Sequence, residues 1–355
     1  MNTKPPVIST ILPVKNPDQG LLDRAISSIK NQTFQDFEIL LIDDGSGDDF
    51  AKALERTAET DSRIRLFHIA PSGVSGARNY AMEQAFGDYL TFLDGDDALS
   101  PYCFEEAVSL LSDPETDILW GGTQYGSSEE IELLLSEQKK TGAHSLEELQ
   151  KLCILLTPER IHTTRAECIG EPFRFDRDGY INRGIAARFL KKKVLENGKA
   201  RFPLGIRMYE DAIWNLRMME DFRIKYVKSI WYYYYNNDSS VSNSYNPDVL
   251  DCMEIPLSEI RRILDLENEE EYIAYTRLLM DSLRYVYKCL YGNPNWSGDK
   301  NDRKKLRDHL YRDMPWSEIA SARFKSYAEG RDKQKSALFR ARLLFLYWNL
   351  TWKKM

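Results

Sequence analysis

The sequence predicts an α/β fold, a doubly wound and mostly parallel sheet followed by a C-terminal helical region. Three observations carry this. Buried-type apolar runs alternate with amphipathic stretches through the first 120 residues, acids and turn residues close the runs, and from about 247 the pattern is helical. Taken in order, "VISTILPV" reads as a buried strand and "LLDRAISSIKNQ" as a helix with its apolar stripe at 22, 25, 26 and 29. "FEILLIDD" is a second strand, closed by the turn residues "GSGDD". A helix near 50–60 leads to a third strand, "IRLFHI", and "SGARNYAMEQAFG" is a helix with Gly87 as its C-terminal stop. "YLTFL" is a fourth strand, after which Ser100 and Pro101 are placed as N-cap and first residue of another helix.

The alternation weakens after 125. "SSEEIELLLSEQKK" and "SLEELQKLCILL" read as helices laid over the sheet, the second with Ser145 and Glu148 as a capping box. "MYEDAIWNLRMMED" is helical, and "RIKYVKSIWYYYY" reads as one or two strands.

Bulk properties exclude several classes. The chain has 355 residues, is 43% hydrophobic and carries a formal net charge of -7, enough for a real core and against a nucleic-acid binder. The cysteines at 103, 153, 168, 252 and 289 form no close metal-type pairs and read as reduced thiols in a cytoplasmic setting. "MNTKPPVIST" lacks a signal-peptide layout, and no apolar run reaches the ~20 residues of a membrane span.

Chemistry concentrates in "GDYLTFLDGDDALSP", where Asp94, Asp96 and Asp97 end an apolar strand within four residues. Acids so close repel one another. Three readings are open: a solvated loop of turn formers and caps, a divalent-cation site, or a nucleophilic aspartate. Mg²⁺ or Mn²⁺ takes a few carboxylates together with phosphate oxygens, which suits a cluster at a strand's carboxyl end, where α/β sheets bind ligands. A phosphohydrolase of the haloacid-dehalogenase type also places D-x-D after a strand, but usually the first strand, soon followed by Thr or Val; here the fourth strand is followed by Ala98 and Leu99.

Four stretches in order, "STILPVKN", "SIKNQTFQDFEILLIDDGSGD", "GVSGARNYAMEQAFGDYLTFLDGDD" and "MYEDAIW", resemble the family 2 glycosyltransferases of the GT-A, Rossmann-like fold across about 1–240. The resemblance implies a GT-A domain over 1–245, with a nucleotide-sugar half (1–125) and an acceptor half (126–245), and a helical region over 246–355. It implies that Pro13, Val14 and Asn16 cradle the nucleobase, although Lys15 stands where an aromatic is common. Asp44 would accept a hydrogen bond from uracil N3, favouring UDP, and Asp43 would organise the turn. Arg78 would bind the base edge or a phosphate, its fork suiting either. Asp94 and Gly95 would meet the ribose, Asp94 also reaching the metal, and Asp96 would ligate Mn²⁺ or Mg²⁺ directly; Asp97 ligates or caps. By the same resemblance Asp211 is the general base and Glu210 its neighbour, giving inverting transfer to a glycan or lipid-linked acceptor in surface polysaccharide synthesis. A single carboxylate suffices for direct displacement, and an acid pair at a helix start is also simply dipole-favoured.

Asn236 stands where the family commonly has a basic residue, leaving Ser239, Ser240 and Ser242 as diphosphate donors. The tyrosines of 232–235 read as packing more than as a sugar platform, and Trp214 and Trp231 as core or acceptor cleft. The segment 331–355 is basic with an apolar centre, fitting either a peripheral helix on the inner membrane face or a helix docked on its own domain or on a second subunit of a homodimer. A catalytically silent nucleotide-sugar or glycan binding module is the competing class. A glycoside hydrolase would need two carboxylates but neither Asp44 nor Arg78.

Overall fold

The structure is a computed structural model and describes residues 4–157, 160–169, 184–196, 198–236, 245–327, 330–345 and 347–348. The chain forms two compact units, residues 1–158 with 175–238, and residues 159–174 with 239–355.

The first unit opens as a parallel α/β sheet. Strand β1 (Ile8–Val14) and strand β2 (Phe37–Asp43) bury nearly every residue, because helices cover both faces of a parallel sheet. Helix α1 (Gln19–Lys30) is capped by Asp18, which accepts from the Leu21 amide, and buries Leu22, Ala25, Ile26 and Ile29. That is the stripe its 3.6-residue period requires. Helix α2 (Asp48–Glu59), strand β3 (Ile64–His68), helix α3 (Gly73–Gln84) and strand β4 (Tyr89–Phe92) complete the half.

Beyond β4 come the short strand β5 (Ala98–Leu99), helix α4 (Cys103–Leu111), strand β6 (Ile118–Gly126), helix α5 (Ser128–Thr141), helix α6 (Leu146–Leu152) and strand β7 (Cys153–Leu155). Helix α7 (Ile161–Ile169) belongs to the second unit. Strand β8 (Arg188–Lys191), helix α8 (Glu210–Asp221) and strand β9 (Ile224–Tyr235) return to the first. Among the described residues the strand order is β3-β2-β1-β4-β8-β6-β9-β5, with β7 on β9. Pairs β1/β2, β1/β4, β2/β3 and β6/β9 are parallel, while β8 pairs antiparallel with both β4 and β6.

Four local expectations change. Gly87 does not stop α3, which ends at Gln84; a Cβ there would lie 2.6 Å from the Ser9 backbone nitrogen, so Gly87 is the residue that lets the chain cross β1 closely. Helix α4 starts at Cys103, because Ser100 and Pro101 form the turn that precedes it. "CIL" leaves α6 as strand β7, while the Ser145–Glu148 capping box forms as its spacing requires. Strands β6 and β8 went unread in the sequence. In β6, Gly121 sits where a Cβ would lie 2.2 Å from Trp231 Cε3, and the ladder to β9 shifts register there.

The second unit contains α7, α9 (Val249–Ile263), α10 (Glu269–Val286), α11 (Lys300–Arg312), α12 (Ala322–Tyr327) and α13 (Gly330–Arg340). Asn268 caps α10, and buried Glu271 accepts from the Asp265 amide and pairs with His162. The 331–355 segment is not one continuous helix: Arg342 turns the chain at φ 57° after α13. Phe339, Leu344, Phe345 and Trp348 are buried, Phe345 packing on Tyr287, Tyr291 and Tyr311, whereas Leu343 and Tyr347 stay exposed. Among the described residues no helix is long and apolar enough to cross a membrane.

Candidate active site

The parallel order sets the carboxyl ends of β2, β1 and β4 side by side. The Asp44 amide donates to the Val14 carbonyl at 2.9 Å, and a Cβ on Gly95 would lie 3.1 Å from Val14 Cγ1. Val14, Asp44 and Gly95 therefore lie together at these strand ends, with Pro13 the residue before Val14 in β1. Asn16 adopts φ 46°, accepts from the Gly47 amide at 2.9 Å and donates its own amide to Ser46 Oγ at 2.8 Å, joining the β1 and β2 loops. A left-handed asparagine is tolerable locally, and its place at these strand ends is typical of strain held at a site.

The acid pair after β2 divides its work. Asp43 accepts from the Ser46 amide at 2.8 Å and pairs with His68 at 2.7 Å; burial works against its charge, but these bonds win and hold it below the usual carboxylate range. Asp44 accepts from the Ser72 amide at 2.6 Å, Ser72 Oγ at 3.0 Å and the Gly73 amide at 2.9 Å, so it anchors the start of α3. A carboxylate offers about four acceptor positions. These three bonds leave Asp44 one acceptor position, on Oδ2.

Arg78 is the hub. Its side chain is 2% exposed, on the inner face of α3. Nη1 donates to Asp211 Oδ1 at 2.6 Å and lies 3.8 Å from Glu210 Oε1, and Nη2 donates to Asp94 Oδ1 at 3.0 Å. Burial alone would lower its pKa, but Asp211, Asp94 and Glu210 more than compensate. Residues separated by 133 and 16 positions are thereby brought onto one guanidinium.

The three acids after β4 go separate ways. Asp94 faces Arg78, and Asp96 is exposed. Asp97 turns inward, 1% exposed, with Oδ2 accepting from the Tyr232 hydroxyl at 2.7 Å and Oδ1 from the Tyr235 amide at 3.0 Å. Burial, then the charges of Asp94 and Asp96, push it up to about 8. Both Asp97 oxygens are therefore committed to β9, which makes Asp97 the pin of the loop. Arg24 on α1 clasps the same loop, donating to the Asp96 carbonyl while its guanidinium lies 3.4 Å from the Tyr235 ring centre.

Glu210 and Asp211 occupy the first turn of α8, where the helix dipole favours acids. The turn is entered through Tyr209 at φ 64°, an outlier for a bulky residue. Asp211 Oδ2 accepts from the Ile185 amide at 3.3 Å. Burial lifts Asp211 above the ordinary range against the pull of Arg78, and burial together with Asp211 lifts Glu210 to about 8.

Trp214 and Trp231 are both fully buried: Trp214 stacks on Phe202, and Trp231 Nε1 donates to Glu106 Oε2 at 2.6 Å. They are core. Tyr232, Tyr233 and Tyr235 are buried as well, while Tyr234 is exposed and pairs with Tyr125 at 5.0 Å between ring centres. Ser239, Ser240 and Ser242 lie outside the described residues. Sequence reasoning missed Arg24 and the Tyr232–Asp97 pin; nothing local marks an arginine on an amphipathic helix, or one tyrosine among four, as a partner for this loop.

The donor set fits a hard divalent cation. Among the described residues no group of three or more His, Cys, Asp or Glu side chains is placed to hold a metal ion. Mg²⁺ and Mn²⁺ ordinarily take one or two carboxylates and fill the remaining positions with phosphate and water. Asp96, exposed, and Asp94, two residues before it, would be such a pair of oxygen donors.

The fold is that of an α/β domain of GT-A type. Residues 9–178 match the family described as Glycosyl transferase family 2. The chain is similar to the uncharacterized glycosyltransferase EpsJ of Bacillus subtilis, 27% identical over 238 residues, covering 67% of this chain and 63% of that protein. It is 42% identical over 96 residues to a GalNAc(5)-diNAcBac-PP-undecaprenol beta-1,3-glucosyltransferase of Campylobacter jejuni, covering 26% of this chain and 31% of that one. Its fold resembles S. aureus TarS 1–349 in complex with UDP-GlcNAc, with TM-score 0.59 and 16% identity over 98% of this chain and 92% of TarS. Residues 9–178 thus carry the likeness to the family 2 glycosyltransferases, and the chain spans under two thirds of the EpsJ relative's length.

Proposed function

We propose that this protein transfers a sugar, with inversion, from a nucleoside diphosphate (UDP favoured) to a hydroxyl of a glycan or lipid-linked acceptor, with Asp211 as general base. The observation that carries the reading is the buried Arg78, which gathers Asp94, Glu210 and Asp211 at the carboxyl ends of the central strands. The acceptor O–H attacks the anomeric carbon as the bond to the diphosphate breaks, and the proton passes to Asp211. Each carboxylate oxygen has two lone pairs, so the bonds from Arg78 and Ile185 leave Asp211 positions to accept that proton. Its raised pKa makes it a stronger base than a surface aspartate. Glu210, whose pKa burial and the neighbouring Asp211 raise, lies beside the base and 3.8 Å from Arg78 Nη1.

Asp96 and Asp94 would hold Mn²⁺ or Mg²⁺, which when bound supplies positive charge to the leaving diphosphate. Pro13, Val14, Asn16 and Gly95 would line the nucleoside side of the crevice, with Asp44 at its edge. In this reading residues 1–125 take the donor, 126–245 the acceptor, and 246–355 a helical region. The Campylobacter relative, named for an undecaprenol-linked substrate, supports a lipid-linked acceptor and work at the inner face of the cell membrane in polysaccharide synthesis. Contact with that surface through 331–355 would use Leu343 and Tyr347, the exposed large apolar residues of its described part. Lys15 and Asn236 favour a second reading, a catalytically silent nucleotide-sugar or glycan binding module.

Release of UDP from a panel of UDP-sugars with Mn²⁺ separates the two. The enzyme reading expects turnover that falls about 10²–10⁴-fold in Asp211→Asn. Unchanged turnover in that variant sinks the base assignment, and UDP binding without turnover in wild type supports the silent module.

A further inference from the structure

Arg78 does more than balance charge. A guanidinium 2% exposed must satisfy its donors inside the protein, and here both terminal nitrogens go to carboxylates from two different elements. Nη2 holds Asp94, on the loop after β4, and Nη1 holds Asp211, in the first turn of α8. Nε is buried and meets no partner, so the fork makes its bonds through Nη1 and Nη2. The plane of the fork is itself fixed. The Phe202 ring lies beneath the guanidinium, 5.1 Å away. Asn79, the next residue of α3, clamps the Phe202 backbone in both directions, accepting its amide at 2.8 Å and donating to its carbonyl at 3.0 Å.

We propose that Arg78 is a positioning residue that locks the base Asp211 to the donor-side Asp94, so that the two acids are held in one register by a single rigid group. This rests on the glycosyl-transfer reading above and replaces nucleotide contact as the work of Arg78. Lysine cannot substitute, because a point charge on a flexible stem bridges two carboxylates of different elements poorly. Holding a reacting group in register acts on the chemical step rather than on ground-state binding.

The test uses the full chain as wild type, Arg78→Lys, Asp211→Asn and the double variant. UDP affinity is measured by calorimetry with Mn²⁺, and turnover as UDP release from whichever UDP-sugar wild type uses. Arg78→Lys is expected to keep the UDP Kd within about threefold while kcat falls about 10²-fold, the split that marks an interaction made in the transition state. In the Asp211→Asn background the same change is expected to cost less than about threefold, because residues that act as a unit are not additive. A UDP Kd that weakens as much as turnover falls overturns the proposal and returns Arg78 to nucleotide contact. Multiplying losses in the double variant overturn it too. Wild type that neither binds UDP nor releases it removes the glycosyl-transfer reading and this proposal together. Should Arg78→Lys fail to fold by circular dichroism, Phe202→Leu takes away the ring under the guanidinium without touching an acid. The same split is expected there at roughly tenfold in kcat, and no change in kcat overturns the proposal.

Discussion

Glu106 offers a quantitative check on the strand that carries the Asp97 pin. Its carboxylate, on α4, is 2% exposed and receives four donors. Oε1 takes the His144 amide at 2.9 Å and His144 Nδ1 at 2.8 Å, and Oε2 takes Ser229 Oγ at 2.8 Å and Trp231 Nε1 at 2.6 Å. Glu106→Gln keeps the shape but replaces one oxygen with an NH₂ group. If that group faces His144, the imidazole can change tautomer but the backbone N–H is orphaned. If it faces β9, Ser229 can rotate but the Trp231 indole, a donor only, is orphaned. Either way one buried donor stays unpaired, costing about 1–3 kcal/mol, and the two surviving bonds lose their charge assistance at about 1 kcal/mol each. Relief from burying a carboxylate offsets part of this, leaving about 2–4 kcal/mol. In a urea titration followed by tryptophan fluorescence the midpoint is expected to fall on the order of 1 M with the slope preserved. Adding Trp231→Phe to Glu106→Gln is expected to cost less than the two single changes together, because the amide can then turn toward the vacated side. A Glu106→Gln change under about 0.5 kcal/mol, or strict additivity in the pair, refutes the donor count.

Three further outcomes follow from the geometry. Gly87→Ala places a Cβ 2.6 Å from the Ser9 nitrogen and 2.8 Å from the Ile8 carbonyl carbon, both backbone, and is expected to lower stability by about 1–3 kcal/mol or more in calorimetry. Asp96→Ala is expected to remove at least about tenfold in UDP affinity measured with Mn²⁺ and to leave affinity in EDTA unchanged; equal losses in both media refute the ligand assignment. In the second unit, burial opposes the charge of His309, but Glu254 at 2.6 Å and Asp313 at 2.7 Å outweigh it and raise its pKa. A raised histidine stabilises fully below its ordinary value of about 6.5 and loses that contribution as pH rises through the folded value. Thermal unfolding from about pH 5.5 to 9 is expected to show that loss in wild type and a flatter profile in His309→Gln, while identical profiles refute it.

What could be read from the sequence follows from where the cause of each feature lies. The stripe of α1 and the unbroken runs of β1 and β2 have local causes, a helical period and burial on both faces, and they were legible. Strand β6 was not, because its glycines look like turn residues, and the demand for Gly121 comes from Trp231, a hundred residues away. Strand β8 hid behind Arg188, which reads as surface but is 1% exposed, over the Trp120 ring at 4.1 Å and bonded to Asn215. At the candidate site the residue types and their order pointed to Asp94, Arg78 and Asp211, and the structure brings these three together. It does not show Arg78 reaching toward a nucleobase: its terminal nitrogens are occupied by acids, a fact of three-dimensional distance that spacing does not encode. The opposite sense of Asp97 was equally hidden, since it depends on Tyr232 and Tyr235 arriving from β9.

The acid cluster after β4 is the place where these partners decide the chemistry. Three adjacent carboxylates all ionised and all exposed would repel, and the fold avoids that state by giving each a different environment. Asp97 is turned inward, and burial together with the charges of Asp94 and Asp96 raises its pKa. Asp94 lies against Arg78, and that one guanidinium is shared with Asp211 and with Glu210 at 3.8 Å. Asp96, exposed, adds its own charge. Acidic side chains therefore outnumber the guanidiniums of Arg78 and Arg24 at this end of the sheet, which by itself disfavours a polyanionic ligand. A divalent cation held there would offset that charge, whereas Nη1 and Nη2 of Arg78 are already turned to Asp211 and Asp94. The electrostatics thus favour, for the proposed donor complex, a divalent cation that Asp96 and Asp94 would hold, while Arg78 is turned to Asp94 and Asp211.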